Sequence, residues 1–159
     1  MSIQFEVKRT FHVPPQQAYA GLIDLDAARN WMQGLVEIKR LDDGPVRPGS
    51  QWKETRKMFG KEATEHFEVV ELNEPEKIML SCDGTKGTTG KGEFLFSYFL
   101  EPTVDGTVVT LHGEINGLTG LTKLFGKMMS KTFKNACAKD MDALKNHLER
   151  EQPVSHQNN

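Results

Sequence analysis

The segment from Gly117 to Arg150 constrains the fold of this chain more than any other, because it reads as a short glycine-rich lead-in followed by one long amphipathic helix. At about 100° per residue, Leu118, Leu121, Phe125, Met128, Met129, Thr132 and Ala136 fall on one face. Phe133, Cys137, Met141, Leu144 and Leu148 fall on another, rotated by roughly 120°. A straight helix on a flat sheet keeps a single apolar stripe. The two halves are therefore expected to meet different surroundings, or the helix to bend between them.

The rest of the chain reads as the sheet on which such a helix lies. Ile3, Phe5, Val7, Phe11 and Val13 alternate with Gln4, Glu6, Lys8, Thr10 and His12, the period-2 pattern of a half-buried strand, and Arg9 falls on the apolar side. Pro14 and Pro15 stop that strand, and Pro15 suits the first position of a helix whose buried side is Ala18, Tyr19, Leu22 and Ile23. Asp24 or Asp26 is placed to cap a second short helix through Trp31 and Met32, ended by Gly34. Strands follow at Leu35 to Leu41, Gln51 to Phe59, Glu62 to Leu72, Lys77 to Cys82, Gly92 to Leu100 and Thr107 to Ile115, separated by turn clusters such as DDGPVRPGS, NEPE and EPTVDG. Phe94, Phe96, Tyr98 and Leu100 share one strand face, and Val109, Leu111, Gly113 and Ile115 share another. Strands and helices are segregated, which indicates an α+β fold with an antiparallel sheet.

Composition excludes several alternatives. A chain of 159 residues suffices for one domain over residues 1–150, and the polar stretch 151–159, which contains Pro153, reads as a disordered tail. Twenty basic against 22 acidic residues argue against a nucleic-acid binder. The N-terminus has no apolar signal core, and no run approaches the ~20 apolar residues of a membrane span. A soluble, cytoplasmic protein is expected, as monomer or homodimer, without membrane-surface contact. Cys82 and Cys137 lack CxxC or Cys/His ligand spacing, and the five histidines lack HxxxH or HExxH spacing. Neither a metal nor another cofactor is expected, and no GxSxG nucleophile motif occurs.

In this setting FHVPPQQAYAGLIDLDAARNWMQGLVEIKRL, PGSQWKETRKMFGKEATEHFEVVELNEPEKIML, FLFSYFLEPTVDGTVVTLHGEING and the closing helix resemble the START-like, Bet v 1-like SRPBCC superfamily, which includes the polyketide cyclase/dehydrase-like proteins. The resemblance covers roughly residues 3 to 150. It implies a helix-grip fold: a curved seven-stranded antiparallel sheet wrapped around the long C-terminal helix, two short helices between strands 1 and 2, and a cavity for an apolar or amphipathic small molecule. The family motifs are diffuse, and they fix fold more than function.

Charged residues on an apolar strand face are the sharpest candidates for a site. A two-residue loop at Gly60 and Lys61 would pair Met58 with Ala63, Arg56 with Glu65, Glu54 with Phe67 and Trp52 with Val69, all on one face. That face holds Trp52, Met58, Phe67 and Val69, so it is expected to point inward, with Arg56 and Glu65 as an opposed ion pair, Glu54 beside them and Arg9 as a further contributor. Such charges need pairing or hydration, which makes them candidates to orient a polar ligand end or to move a proton. In the opposite orientation Thr55, Lys57, Phe59, Thr64 and His66 would face in, and the pair could also be a self-satisfied contact at the sheet rim. Phe67, Phe94, Phe96, Tyr98, Leu121, Phe125, Met128 and Met129 are the apolar cavity candidates, with ordinary core packing as the plainer account of each.

Other features have plain explanations. DGTKGTTGKG lacks the GxxxxGK[ST] pattern and reads as a flexible hairpin turn, and Lys123, Lys127, Lys131 and Lys134 read as a solvated helix face. The leading expectation is a carrier or sensor that binds a lipid, polyketide or isoprenoid-like compound. Two alternatives stand beside it. One is a cyclase or dehydratase-like enzyme in which Arg56 polarises a carbonyl and Glu65 or Tyr98 moves a proton; the other is a protein-interaction module.

Overall fold

A computed structural model describes residues 2–118 and 123–151, without the side chains of 123–126. The proposed tail beyond Glu151 lies outside the described residues, as do Leu121 and the side chain of Phe125. Strand β1 (Ile3–Phe11) buries Phe5, Val7 and Phe11 and exposes Glu6, Lys8 and Thr10 between them, with Arg9 half-buried. Pro15 opens α1 (Pro15–Ile23), and Pro14 supplies the extended residue before it. The second short helix is a single 3₁₀ turn, Ala28–Asn30, introduced by a hydrogen bond from Ala27 N–H to Asp24 Oδ1 at 3.1 Å. Strands β2 (Leu35–Arg40), β3 (Gln51–Met58), β4 (Lys61–Asn73), β5 (Lys77–Asp83), β6 (Glu93–Thr103) and β7 (Gly106–Asn116) follow, and α2 (Lys123–Arg150) closes the chain.

The seven strands form one antiparallel sheet in the order β1-β7-β6-β5-β4-β3-β2. Every neighbour but one is also a sequence neighbour; β1 joins across β7, so helices and connections between β1 and β2 span the sheet. β7 alternates without a break, burying Thr107, Val109, Leu111, Gly113 and Ile115. Gly113 lies opposite Phe5, and a Cβ there would fall inside the Phe5 ring, so the glycine is what lets that ring lie flat on the sheet.

Two apolar clusters hold the layers together. The larger joins Val7, Phe11, Leu100, Val109 and Leu111 of the sheet to Tyr19 of α1 and to Met141, Leu144 and Leu148 of α2. At ~1.5–3 kcal/mol for each large side chain buried, this end of α2 is its anchor. The smaller cluster contains Phe5, Cys82, Phe94 and Ile115, with Phe67, Phe96, Phe133 and Cys137 packed on it. The first half of α2 runs beside β1, where Ser130 Oγ donates to Gln4 O at 3.2 Å. Lys127, Lys131 and Lys134 are exposed along it.

Candidate functional site

The β3–β4 hairpin sets the site, and its turn differs from the sequence expectation. The two loop residues are Phe59 and Gly60, both at positive φ (53° and 80°), and Met58 pairs with Lys61. Two successive positive-φ residues give the primed turn whose twist matches a hairpin. Relative to the expected pairing, each partner moves by two residues: Trp52 faces Phe67, Glu54 faces Glu65 and Arg56 faces Ala63. A shift of two leaves every side chain on its face. Trp52, Glu54, Arg56, Met58, Ala63, Glu65 and Phe67 accordingly line one cavity, of about 310 Å³.

The expected Arg56–Glu65 ion pair is absent. Arg56 Nε donates to Glu54 Oε1 at 2.7 Å, and its Nη1 donates to Asp140 Oδ2 of α2 at 2.6 Å. Asp140 Oδ1 also accepts from Gln33 N–H at 3.1 Å, so one acid ties the α2 roof both to β3 and to the segment before β2. Burial disfavours the charge on Arg56, but Glu54 and Asp140, by charge and hydrogen bond, more than reverse this and hold the guanidinium protonated. Sequence reasoning missed Asp140. Its signal was an acid three residues after Cys137 and four before Leu144, inside an otherwise apolar stripe.

Glu65 binds elsewhere. Its Oε1 accepts from the Thr89 N–H at 2.9 Å and from Thr89 Oγ1 at 2.6 Å, while Thr88 N–H donates to Thr64 O at 2.8 Å. The ladder to β5 begins only at Phe67, so the loop after β5 takes over the backbone groups of β4 that lie beyond it. The stretch read as a flexible turn is thus fastened across the cavity end, with a 3₁₀ turn at Gly84–Lys86.

The remaining wall is apolar. Leu22, Leu25, Trp31 and Met32 close one side, Leu80, Cys82, Phe94, Phe96 and Tyr98 form the floor, and Phe133, Ala136 and Cys137 join Asp140 as the roof. Trp52 and Phe67 stack at 5.7 Å, and Phe94 meets Phe133 at 5.4 Å. Of the sequence candidates, Glu54, Arg56, Glu65, Phe67, Phe94, Phe96 and Tyr98 line this cavity. Arg9 does not; it points from β1 to Asp142 of α2, with Nε 2.7 Å from Oδ1. Met128 is 59% exposed, and neither it nor Met129 is in the wall, because the first half of α2 lies along β1 beyond the cavity. Among the described residues the roof is thus built where the two stripes meet, by Ala136 at the end of the first and Phe133 and Cys137 at the start of the second.

Protonation in the wall is set by burial. Desolvation, reinforced by Cys137, Asp140 and Glu54 and opposed by Arg56, raises Tyr98, so its hydroxyl stays protonated. Burial together with Asp140 pushes Cys137 up to about 12, and burial together with Glu65 and Glu54 does the same for Cys82. Neither thiol is a nucleophile near neutral pH. Trp52 Nε1 and Glu65 Oε2 are buried without a hydrogen-bond partner among the described residues, and Oε2 packs against Gly87, where a Cβ would collide with it. Among those residues no cluster of His, Cys, Asp and Glu forms a metal site, and no helix is long and apolar enough to cross a membrane.

A curved sheet holding a long helix across an internal cavity defines a helix-grip protein of the Bet v 1-like class. Ara h 8.0201 superposes with a TM-score of 0.72 at 15% identity, over 95% of this chain and 100% of its own. TTHA0849 from Thermus thermophilus does so at 0.75 and 14%, over 94% and 99%. The di-domain ARO/CYC StfQ from the steffimycin biosynthetic pathway reaches 0.77 at 14% over 94% of this chain, which spans 52% of StfQ. At such identities the likeness establishes fold. Residues 2–149 match the family described as polyketide cyclase / dehydrase and lipid transport, and the chain belongs to that family and to the SRPBCC superfamily. No curated protein matches the sequence.

Proposed function

We propose that this protein binds an amphipathic small molecule, a lipid, polyketide or isoprenoid-like compound, between its sheet and α2, and carries or senses it in the cytoplasm. The observation that carries this reading is the cavity itself. Its volume of about 310 Å³ lies at the small end of the ~300–1,000 Å³ range of ligand sites. Its wall is aromatic and aliphatic over most of its extent, with the charged groups gathered on β3, β4 and one turn of α2. The charged side chains Glu54, Arg56 and Asp140 in that wall favour a ligand with a polar end, since an entirely apolar ligand would strip their water. Two free cysteines suit a reducing compartment.

The test is uptake of the neutral fluorophore N-phenyl-1-naphthylamine. Wild-type protein should bind it with a fluorescence rise, and Ala136→Phe, which fills the roof, should not while retaining the wild-type circular dichroism. A wild type that takes up no probe would sink the reading.

A second reading, the cyclase or dehydratase-like enzyme, is favoured by one observation: Tyr98, whose hydroxyl is held protonated, and Glu65 line the same cavity. Tyr98 would then donate to a substrate oxygen and Glu65 accept a proton, while Arg56, clamped by two carboxylates, orients and does not polarise. Turnover of a polyketide-like substrate lost in both Tyr98→Phe and Glu65→Gln would support it; turnover unchanged in both would exclude this pair.

A further inference from the structure

The cavity reaches the surface at one end of the sheet. Among the described residues that line it, only Met58 and Thr89 are exposed, one beside the β3–β4 turn and the other in the loop after β5. The antiparallel strand order puts that turn, that loop, the start of β1 and the end of β7 at the same end. Next to Met58, Phe59 stands 92% exposed at the apex of the turn. Its φ of 53° is one that bulky residues seldom adopt, in a turn position that suits Asn, Asp or Gly. A large ring held in water where local conformation favours a small polar residue calls for a partner outside the chain. Met128, 59% exposed, adds apolar surface from α2, two residues before Ser130 bonds Gln4 at the start of β1.

Charge divides along the same axis. The connections at this end carry Lys57, Lys61, Lys86 and Lys91, all exposed, against Glu62, with Asp83 and Glu93 at the foot of the second. No acid occurs between Glu114 and Asp140, and Lys127 and Lys131 are exposed on the part of α2 beside β1. The connections at the opposite end hold Asp42, Asp43, Glu74, Glu76 and Asp105 against Arg47. A chain of net charge −2 thus presents a basic end, with a protruding aromatic ring, and an acidic one. Lysines around an exposed aromatic fit the boundary of an anionic bilayer, where the ring enters the acyl edge and the ammonium groups meet phosphates. We propose that this end docks on an anionic lipid surface through Phe59, Met58 and the surrounding lysines, so that a ligand passes between bilayer and cavity. The passage rests on the cavity-binding reading above, whereas the docking stands on exposure and charge alone. It departs from the sequence expectation of a protein without membrane-surface contact.

The experiment floats the full chain with phosphatidylcholine vesicles, with and without about one third phosphatidylserine, at low and high salt. Wild type should partition at least about tenfold more strongly to the anionic vesicles, and ~0.5 M salt should abolish most of that gain. Phe59→Asn, which suits the turn, should lower the partitioning about tenfold. Lys61→Gln combined with Lys91→Gln should lower it at least about tenfold, and Val104→Asn, exposed at the opposite end, should leave it unchanged. Absence of an anionic preference, or a preference unchanged in both the Phe59 and the lysine variants, overturns the docking. Loss in the lysine variant with Phe59→Asn unchanged marks a purely electrostatic surface and overturns it as well. Uptake of N-phenyl-1-naphthylamine separates the two readings. Uptake without docking leaves the cavity reading standing, and docking without uptake overturns the cavity reading and the passage while the docking surface holds.

Discussion

Arg56→Met is the perturbation that most directly tests how this fold holds a charged cluster inside a cavity. The guanidinium links Glu54, 6% exposed, and Asp140, 16% exposed, and is itself 22% exposed. Removing it leaves two carboxylates without their cation. Breaking a buried ion pair by deleting one partner costs ~3–5 kcal/mol. Asp140 keeps the Gln33 N–H as a donor and faces a cavity that water can enter, so the lower end, ~3 kcal/mol, is expected. Glu54→Gln in the Arg56→Met background removes one stranded charge and should restore ~1–2 kcal/mol, whereas the same change in the wild type should cost about as much. The assay is urea unfolding of the four proteins at neutral pH, with constant m-values as the check that compactness is unchanged. The reasoning fails if Arg56→Met loses less than ~0.5 kcal/mol, the range of a surface substitution, or if the two changes simply add. Either result would mean the cluster is hydrated like an exposed salt bridge.

The other expectations are simpler. Leu144→Ala, fully buried at the anchored end of α2, should lower stability by ~3–5 kcal/mol in urea unfolding and leave probe uptake intact in the folded protein, the converse of Ala136→Phe. Gly113→Ala should cost ~1–3 kcal/mol, because the new methyl falls into the Phe5 ring; Phe5→Leu in that background should recover part of the loss. Cys82 and Cys137 rise on folding from 9.0 to about 12. Below 9.0 both states are protonated and nothing is lost, but between 9.0 and about 12 the unfolded chain releases protons that the folded chain keeps, so stability falls as pH rises through that window. Cys137→Ala should flatten part of that alkaline slope in urea midpoints, and the native thiols should react with a disulfide reagent only after denaturant is added.

What the sequence disclosed, and what it withheld, follows from the length scale of each signal. Strand alternation carries facing but not pairing. Moving the hairpin turn from Gly60–Lys61 to Phe59–Gly60 shifts every partner by two residues and turns no side chain over, so Trp52, Glu54, Arg56 and Phe67 were placed on the right face while the partner of Arg56 was not. Positive φ at Phe59, a residue that seldom adopts it, is what defeated the turn assignment. Helical periodicity likewise separated two stripes of α2 and suggested the first as the cavity roof; of its described residues Ala136 lines the cavity and Met128 and Met129 do not, and Ser130 bonds Gln4 of β1. Partnerships between elements far apart in sequence, Arg56 with Asp140 and Glu65 with Thr89, have no periodic signature.

That distinction bears on function. A cavity between sheet and helix follows from patterns that any sequence with this architecture must carry, and those patterns say nothing about ligand charge. Charge preference depends on which carboxylates are neutralised within the wall and which are not. Read from the sequence, Arg56 and Glu65 were a direct pair with Glu54 beside them, placed to orient a polar ligand end or to move a proton. With Arg56 held by Glu54 and Asp140, and Glu65 anchored to a loop by one oxygen, the same residues make an anionic wall. A register shift of two residues that leaves the fold unaltered, together with one acid on α2, is therefore enough to change which carboxylates Arg56 neutralises.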